Sequence, residues 1–286
     1  MNVVEALILG VIQGITEFLP VSSSGHLVLF QHIFEKIRGV KFAGPPLLFD
    51  TMVHAGTLVA VFIVLRKDIL ALLRRPIQPL TAYLVIGTLP AVVLALAFGD
   101  VIEKTFDSGN FLGFAFLITS ALLLTAELLS RRPVRPDSAG QSTGKENMNW
   151  LDALIIGLLQ GVAIIPGVSR SGATLSGALS RKLSRDFAAR FSFLLSIPAI
   201  LGALILQIWK LIKIAGPESA AAEGGGAGIG LVPVLAGTIA AAVVGFFSIR
   251  FMLKIIRERT LTGFAIYTAI LGALVLADQF VSRLFF

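Results

Sequence analysis

Residues 5–27, EALILGVIQGITEFLPVSSSGHL, align without a gap to residues 152–174, DALIIGLLQGVAIIPGVSRSGAT, and ten of the 23 positions are identical. Ala6, Leu7, Ile8, Gly10, Gln13, Gly14, Val21, Ser22, Ser24 and Gly25 each recur 147 residues later. Shared apolar bias accounts for a few such matches, but not for Gln-Gly and Val-Ser-x-Ser-Gly together in register. The chain therefore reads as two related halves, repeat one about 1–145 and repeat two about 149–286, inside a single domain of 1–286. Each half opens on an apolar segment broken by proline, serine and glycine.

What surrounds these segments is oil. Of the 286 residues 56% are hydrophobic and only 14% charged, with a mean hydropathy of +0.88, against roughly a quarter charged in soluble domains. Six runs reach the roughly 20 residues that a bilayer requires: about 47–65, 81–99, 111–129, 187–208, 229–248 and 262–282. The helical part of the first broken segment, 3–18, is only about 24 Å long at 1.5 Å per residue. That falls short of a hydrocarbon core of about 30 Å, so 3–34 and 150–180 read as re-entrant hairpins, tolerated where protein or a water-filled cavity surrounds them. The first apolar run carries Glu5, Gln13 and Glu17 and lacks a basic leader, so it reads as mature protein. No cysteine is present, which excludes disulfide and thiolate-metal chemistry.

The net charge of +7 does not point to nucleic acid, because the basic residues sit in short loops between apolar runs. Loops 66–79, 130–149, 181–190 and 249–261 hold sixteen of them; segments 35–46, 99–110, 209–228 and the C-terminus hold seven. The positive-inside rule puts the first group in the cytoplasm and both termini outside. The glycine- and alanine-rich stretch around 220–230 reads as a flexible outer loop. One hairpin and three spans per half make the second copy enter the membrane from the opposite face, an inverted-topology repeat. The expected fold is thus an all-α integral membrane protein of six transmembrane helices and two re-entrant helical hairpins. Gly10 and Gly14, echoed by Gly157 and Gly161, would let those helices approach closely, as in ordinary membrane-helix packing.

The two copies differ where chemistry would lie. Copy one has Glu17, Ser23 and His26 where copy two has Ile164, Arg170 and Ala173. Ionisable residues inside a bilayer are functional candidates by default. Arg170, in a loop of small residues that leads into a helix N-terminus, suits a phosphate, with Ser169, Ser171 and Thr174 adding hydroxyls. Ser22 and Ser24 occur in both copies and read as helix-starting scaffold, which together with Gln13 is also expected to contribute to substrate binding. Ser23 lies three residues from an imidazole able to activate it. Glu17 can orient His26, act as a base, or hold a divalent cation with Gln13 on the same helix face. Asp50 and His54, four apart within a span, face one cavity and either touch substrate or support the hairpin. His32, near the interface, reads as a structural histidine, and Glu127, beside Arg131 at the cytoplasmic end of a span, as an interface residue.

These residues carry a resemblance that covers essentially the whole chain. QGITEFLPVSSSGH resembles the Glu/Gln-x-x-x-Glu motif and following Pro-Val-Ser-Ser-Ser/Thr-Gly-His of the bacterial undecaprenyl-diphosphate phosphatases, the BacA-type bacitracin-resistance family. PGVSRSGAT resembles that family's second signature, and FDTMVHAGTLVAV its intervening segment. The resemblance implies an inner-membrane enzyme that hydrolyses undecaprenyl diphosphate to undecaprenyl phosphate, recycling the carrier for peptidoglycan synthesis. It implies a site open to the outer side, a dimer, and a divalent cation (Mg or Ca). The family's motif acids fall on Gln13 and Glu17, its serine and histidine on Ser23 and His26, and its phosphate-binding arginine on Arg170. Gln13 stands where many members have glutamate, and a neutral amide is the poorer ligand, so the cation is expected to arrive with the diphosphate. The expected mechanism has Ser23 attack the terminal phosphorus, with His26 as proton shuttle and Glu17 positioning or activating it, and the alternative makes His26 the nucleophile. The rival from another class is a secondary transporter or flippase for an anionic isoprenoid lipid, which shares the architecture but has little use for adjacent Ser23, His26 and Glu17. A second membrane phosphatase class, which also uses Ser-Gly-His, needs a later histidine, and none follows His54.

Overall fold

The computed structural model describes residues 1–39, 46–108, 111–130, 148–214, 230–282 and 284. Among them are eleven α-helices and no strand: α1 Val3–Thr16, α2 Ser23–Arg38, α3 Pro46–Val64, α4 Arg66–Arg74, α5 Pro79–Ser108, α6 Leu112–Ser130, α7 Trp150–Val162, α8 Arg170–Ser180, α9 Arg185–Ile214, α10 Leu231–Glu258 and α11 Thr262–Ala277. Helices α5, α6, α9 and α10 are each long and apolar enough to cross a membrane, as is α11 together with the π-helical turn that continues it to Val281; α3 passes that test only together with α4, across a bend of 77°. The molecule is an all-α, multi-pass membrane protein.

Both repeated segments are broken where the sequence breaks them. Helix α1 has 14 residues and α7 has 13, about 21 and 20 Å at the helical rise. Each begins with a capping box, Asn2 with Glu5 and Asn149 with Asp152, which satisfies the first orphan amides. The same acids then latch the hairpins: Arg38, at the end of α2, lies 3.4 Å from Glu5, and Arg181, at the end of α8, lies 2.6 Å from Asp152.

The halves interlock by exchange. Helix α1 packs along α10 of the second half, and α7 packs along α5 of the first, while α6 pairs with α11 and α3 with α9. The glycines make these crossings possible. A Cβ on Gly10 would stand 2.2 Å from the Gly237 carbonyl oxygen, and one on Gly157 would stand 2.6 Å from that of Gly87. Close approach is therefore real, and the partners are α10 and α5.

Several boundaries differ from the sequence expectation. The 66–79 loop contains α4, whose residues are all at least partly exposed. Helix α5 runs on to Ser108 across a kink at Phe98 (φ −123°), beside Gly99, and α10 runs ten residues past the expected end of its span. Arg257 thereby lies in the last turn of α10, where cations complement the helix dipole. Basic residues from different loops meet at one end of the molecule: Arg190 pairs with Asp68 and Asp186, Arg257 with Asp186, and Arg185 with Glu127. The basic residues Lys41, Arg131, Arg132, Arg135 and Lys145 and residues 220–229 of the glycine- and alanine-rich stretch lie outside the described residues.

Candidate active site

The shared Val-Ser-x-Ser-Gly motif does three separate jobs. Its first serine caps the following helix: Ser22 Oγ accepts from Gly25 N (3.1 Å), and Ser169 Oγ accepts from Gly172 N (3.0 Å). The second serine clasps the other half's loop. Ser24 Oγ accepts from Gly167 N at 3.3 Å, and Ser171 Oγ donates to the Leu19 carbonyl at 3.0 Å. Gly167 sits at φ 87°, a conformation that glycine adopts without a Cβ clash. The middle position, the one that differs between copies, is the first residue of its helix and points inward: Ser23 from α2, Arg170 from α8.

Both middle residues converge on Glu17, which caps the C-terminus of α1 and is 5% exposed. Ser23 Oγ donates to Glu17 Oε2 at 2.6 Å, and Gln13 Nε2 donates to the same oxygen at 3.0 Å. Arg170 Nη2 donates to Glu17 Oε1. His54 Nε2 approaches Glu17 Oε2 at 3.7 Å, while its Nδ1 is held by the Asp50 carbonyl at 2.7 Å. That carbonyl can only accept, so Nδ1 carries a proton and Nε2 is left to face the carboxylate. Glu17, Ser23, Ser24, His54, Ser169, Arg170 and Ser171 line a cavity of about 250 Å³, with Thr16, Gln207 and apolar residues of α9 and of the segment between α7 and α8 completing the wall. The N-termini of α2 and α8 thus meet at one cavity, each bringing the positive end of a helix dipole.

Not every expected site residue is here. Thr174 is tied to Ser192 Oγ at 2.6 Å and to its own helix. Gln13 is wholly buried behind Glu17. His26 is placed elsewhere: its Nδ1 binds the Ser22 carbonyl at 2.6 Å, its Nε2 binds the Tyr267 hydroxyl at 2.7 Å, and it is not among the cavity's lining residues. Of the pair left open in the sequence, His54 enters the cavity, while Asp50 accepts from Gln31 of α2 at 3.0 Å. Gln207, hydrogen-bonded to Thr51 at 2.6 Å, and Tyr267 had no sequence signal, because their partners lie 156 and 241 residues away.

The donor set does not suit a protein-held divalent cation. Among the described residues no group of three or more histidine and acidic side chains gathers. Of these residues Glu17 is the one carboxylate lining the cavity, and it already serves a guanidinium, a hydroxyl and an amide. Gln13 Oε1, buried without a partner, adds a single neutral oxygen where a hard cation such as Ca²⁺ takes about six to eight.

A second, largely apolar cavity of about 430 Å³ adjoins the first between α5, α7 and α9. The two share Ala163, Ile164, Arg170, Ala199 and Ala203 in their walls.

Residues 6–274 match the family model described as bacitracin resistance protein BacA. The undecaprenyl-diphosphatase of Carboxydothermus hydrogenoformans (strain ATCC BAA-161 / DSM 6008 / Z-2901) is 44% identical over 282 residues, 98% of each chain. Undecaprenyl-diphosphatase 4 of Bacillus thuringiensis subsp. konkukian (strain 97-27) is 41% identical over 98% of each chain. The undecaprenyl-diphosphatase of Methanosphaera stadtmanae (strain ATCC 43021 / DSM 3091 / JCM 11832 / MCB-3) is 36% identical over 95% of this chain and 96% of its own. This chain belongs to the bacitracin resistance protein BacA family.

Proposed function

We propose that the chain is an undecaprenyl-diphosphate phosphatase of the inner membrane, releasing phosphate from the lipid diphosphate through a Ser23 phosphoenzyme. The observation that carries this reading is the convergence of Ser23 and Arg170, from opposite halves, on the Glu17 carboxylate. Ser23 Oγ attacks the terminal phosphorus as its proton passes along the 2.6 Å bond to Glu17. The phosphorus–oxygen bond to undecaprenyl phosphate breaks, and water then hydrolyses the phosphoserine. Arg170, whose planar fork has five donors, can hold Glu17 and a phosphate together. The helix N-termini neutralise the charge that spreads over the equatorial oxygens. Of the two histidine candidates, His54 is the imidazole positioned to exchange protons at the cavity. A divalent cation, Mg²⁺ or Ca²⁺, belongs to this reading as the companion of the diphosphate.

The isoprenoid stays in lipid and reaches the phosphate cavity through the adjoining apolar slot, whose wall continues into Arg170. In this reading α3, α5, α6, α9, α10 and α11 are six spans and α1–α2 and α7–α8 are re-entrant hairpins of an inverted repeat. The shortness of α1 and α7 and the reciprocal pairing of α1 with α10 and α7 with α5 support it. The basic end faces the cytoplasm and the cavity opens to the outer side. A carrier reading is favoured by one feature: Thr16 lines both the polar cavity and a third cavity of about 570 Å³ between α1, α10 and α11. Phosphate release from undecaprenyl diphosphate by purified protein in detergent separates the two. Wild type is expected to turn over and Ser23→Ala and Arg170→Ala to be inactive; activity surviving both substitutions refutes the site, and an inactive wild type favours the carrier.

A further inference from the structure

Resting on the Ser23 phosphoenzyme reading, we infer that His26 and Tyr267 form a brace that aims the Ser23 hydroxyl, and that neither exchanges a proton with it. Ser22, the residue immediately before Ser23, has φ 75° and ψ 100°, a backbone conformation that L side chains rarely adopt. Such a torsion persists only where its surroundings hold it. Here three donors do so. Gly25 N reaches Ser22 Oγ at 3.1 Å, and the His26 backbone N and ring Nδ1 reach the Ser22 carbonyl at 3.2 and 2.6 Å.

The tautomer of His26 follows from its partners. The Ser22 carbonyl only accepts, so Nδ1 carries the proton and Nε2 accepts from the Tyr267 hydroxyl at 2.7 Å. The ring is 3% exposed. It stacks on Tyr267 (centroids 5.7 Å apart, planes 9° apart) and stands edge-on to Phe116 (5.4 Å, 81°). Both nitrogens are thus committed, and the imidazole is fixed in position and orientation. Ser23 Oγ, by contrast, faces the cavity and Glu17. The chain of contacts runs from Tyr267 on α11 through His26 to the strained Ser22 peptide and so to the nucleophile, giving the second half a part in aiming a first-half hydroxyl. A misplacement of about 1 Å in a reacting group can lower a rate about 10²-fold, which sets the size of the effect.

The test measures phosphate release by purified His26→Ala, His26→Asn and Tyr267→Phe proteins in detergent, with melting curves for each and Ser23→Ala as a control. Asparagine at position 26 keeps an N–H donor near the place of Nδ1 but has no imidazole chemistry. Positioning predicts a kcat about 10²-fold lower for His26→Ala with KM within twofold, and recovery by His26→Asn to within about tenfold of wild type. For Tyr267→Phe it predicts a fall of about three- to tenfold in kcat at unchanged KM. The inference is overturned if folded His26→Asn is as slow as His26→Ala, which would demand an imidazole, or if Tyr267→Phe stays within twofold of wild type. Should His26→Ala fail to fold, the other two variants decide. Full activity of Ser23→Ala would remove the nucleophile reading itself. An inactive Ser23→Ala together with an unrescued His26→Asn would remove only the brace.

Discussion

Glu17→Gln removes the negative charge on which the proposed mechanism turns while keeping the shape of the side chain. In the structure Oε2 accepts from Ser23 at 2.6 Å and Gln13 at 3.0 Å, and Oε1 accepts from Arg170. An amide keeps one oxygen, so whichever way it turns, at least one of these donors meets an NH₂. It also cannot take the proton of Ser23. Loss of a general base lowers a rate by about 10² to 10⁴, which is about 2.7 to 5.4 kcal/mol in the barrier at 1.36 kcal/mol per factor of ten. Binding moves the other way. Arg170 loses its anionic partner and meets the diphosphate with its charge uncompensated, so KM is expected to stay level or fall. Arg170 keeps 20% of its side chain exposed, so the fold should tolerate the change better than it would an unpaired charge in a dry core. The assay is phosphate release over a range of undecaprenyl diphosphate concentrations in detergent, with a melting curve to show that the variant is folded. A kcat within fivefold of wild type refutes the base assignment. So does a tenfold rise in KM at unchanged kcat, which would mean that Glu17 binds substrate or its cation.

Other consequences follow from the packing and the second cavity. Gly10→Val drives a Cβ into the Gly237 carbonyl, 2.2 Å away, and should lower stability by about 1–3 kcal/mol; Gly263→Ala, with nothing within 4 Å, should stay within about 0.5 kcal/mol, and equal melting temperatures for the two would contradict the crossing geometry. Asp152→Asn leaves Arg181 without its carboxylate at the mouth of the second hairpin and should cost about 2 kcal/mol, the arginine's partial exposure moderating the buried-pair figure; chemical denaturation of the two proteins in detergent measures it. Ala203→Trp fills the passage shared by the polar and apolar cavities. It should raise KM for undecaprenyl diphosphate at least about tenfold while sparing inorganic diphosphate binding, and equal effects on both would place the isoprenoid elsewhere.

Much of this molecule is local and was therefore legible in the amino-acid order. The helix breaks around Pro20 and Gly167 and the cap that Ser22 makes with Gly25, three residues on, involve only near neighbours, and motif spacing reveals such features directly. Comparing the repeat with itself singled out Glu17, Ser23, His26 and Arg170, because a difference between two otherwise matched copies marks what one of them acquired; three of these four line the cavity and His26 does not. Tertiary structure alone decided how these residues are used. Ser23 and His26 are neighbours in sequence, yet the ring turns to the carbonyl of the preceding helical turn and to Tyr267, and His54, 37 positions after Glu17, fills the place at the carboxylate. The crossed clasp of Ser24 on Gly167 and Ser171 on Leu19 is of the same kind. Side-chain direction at a helix break depends on which distant groups the packing brings there, and in an apolar chain many pairings satisfy the same hydrophobic pattern. Only the assembled halves select one.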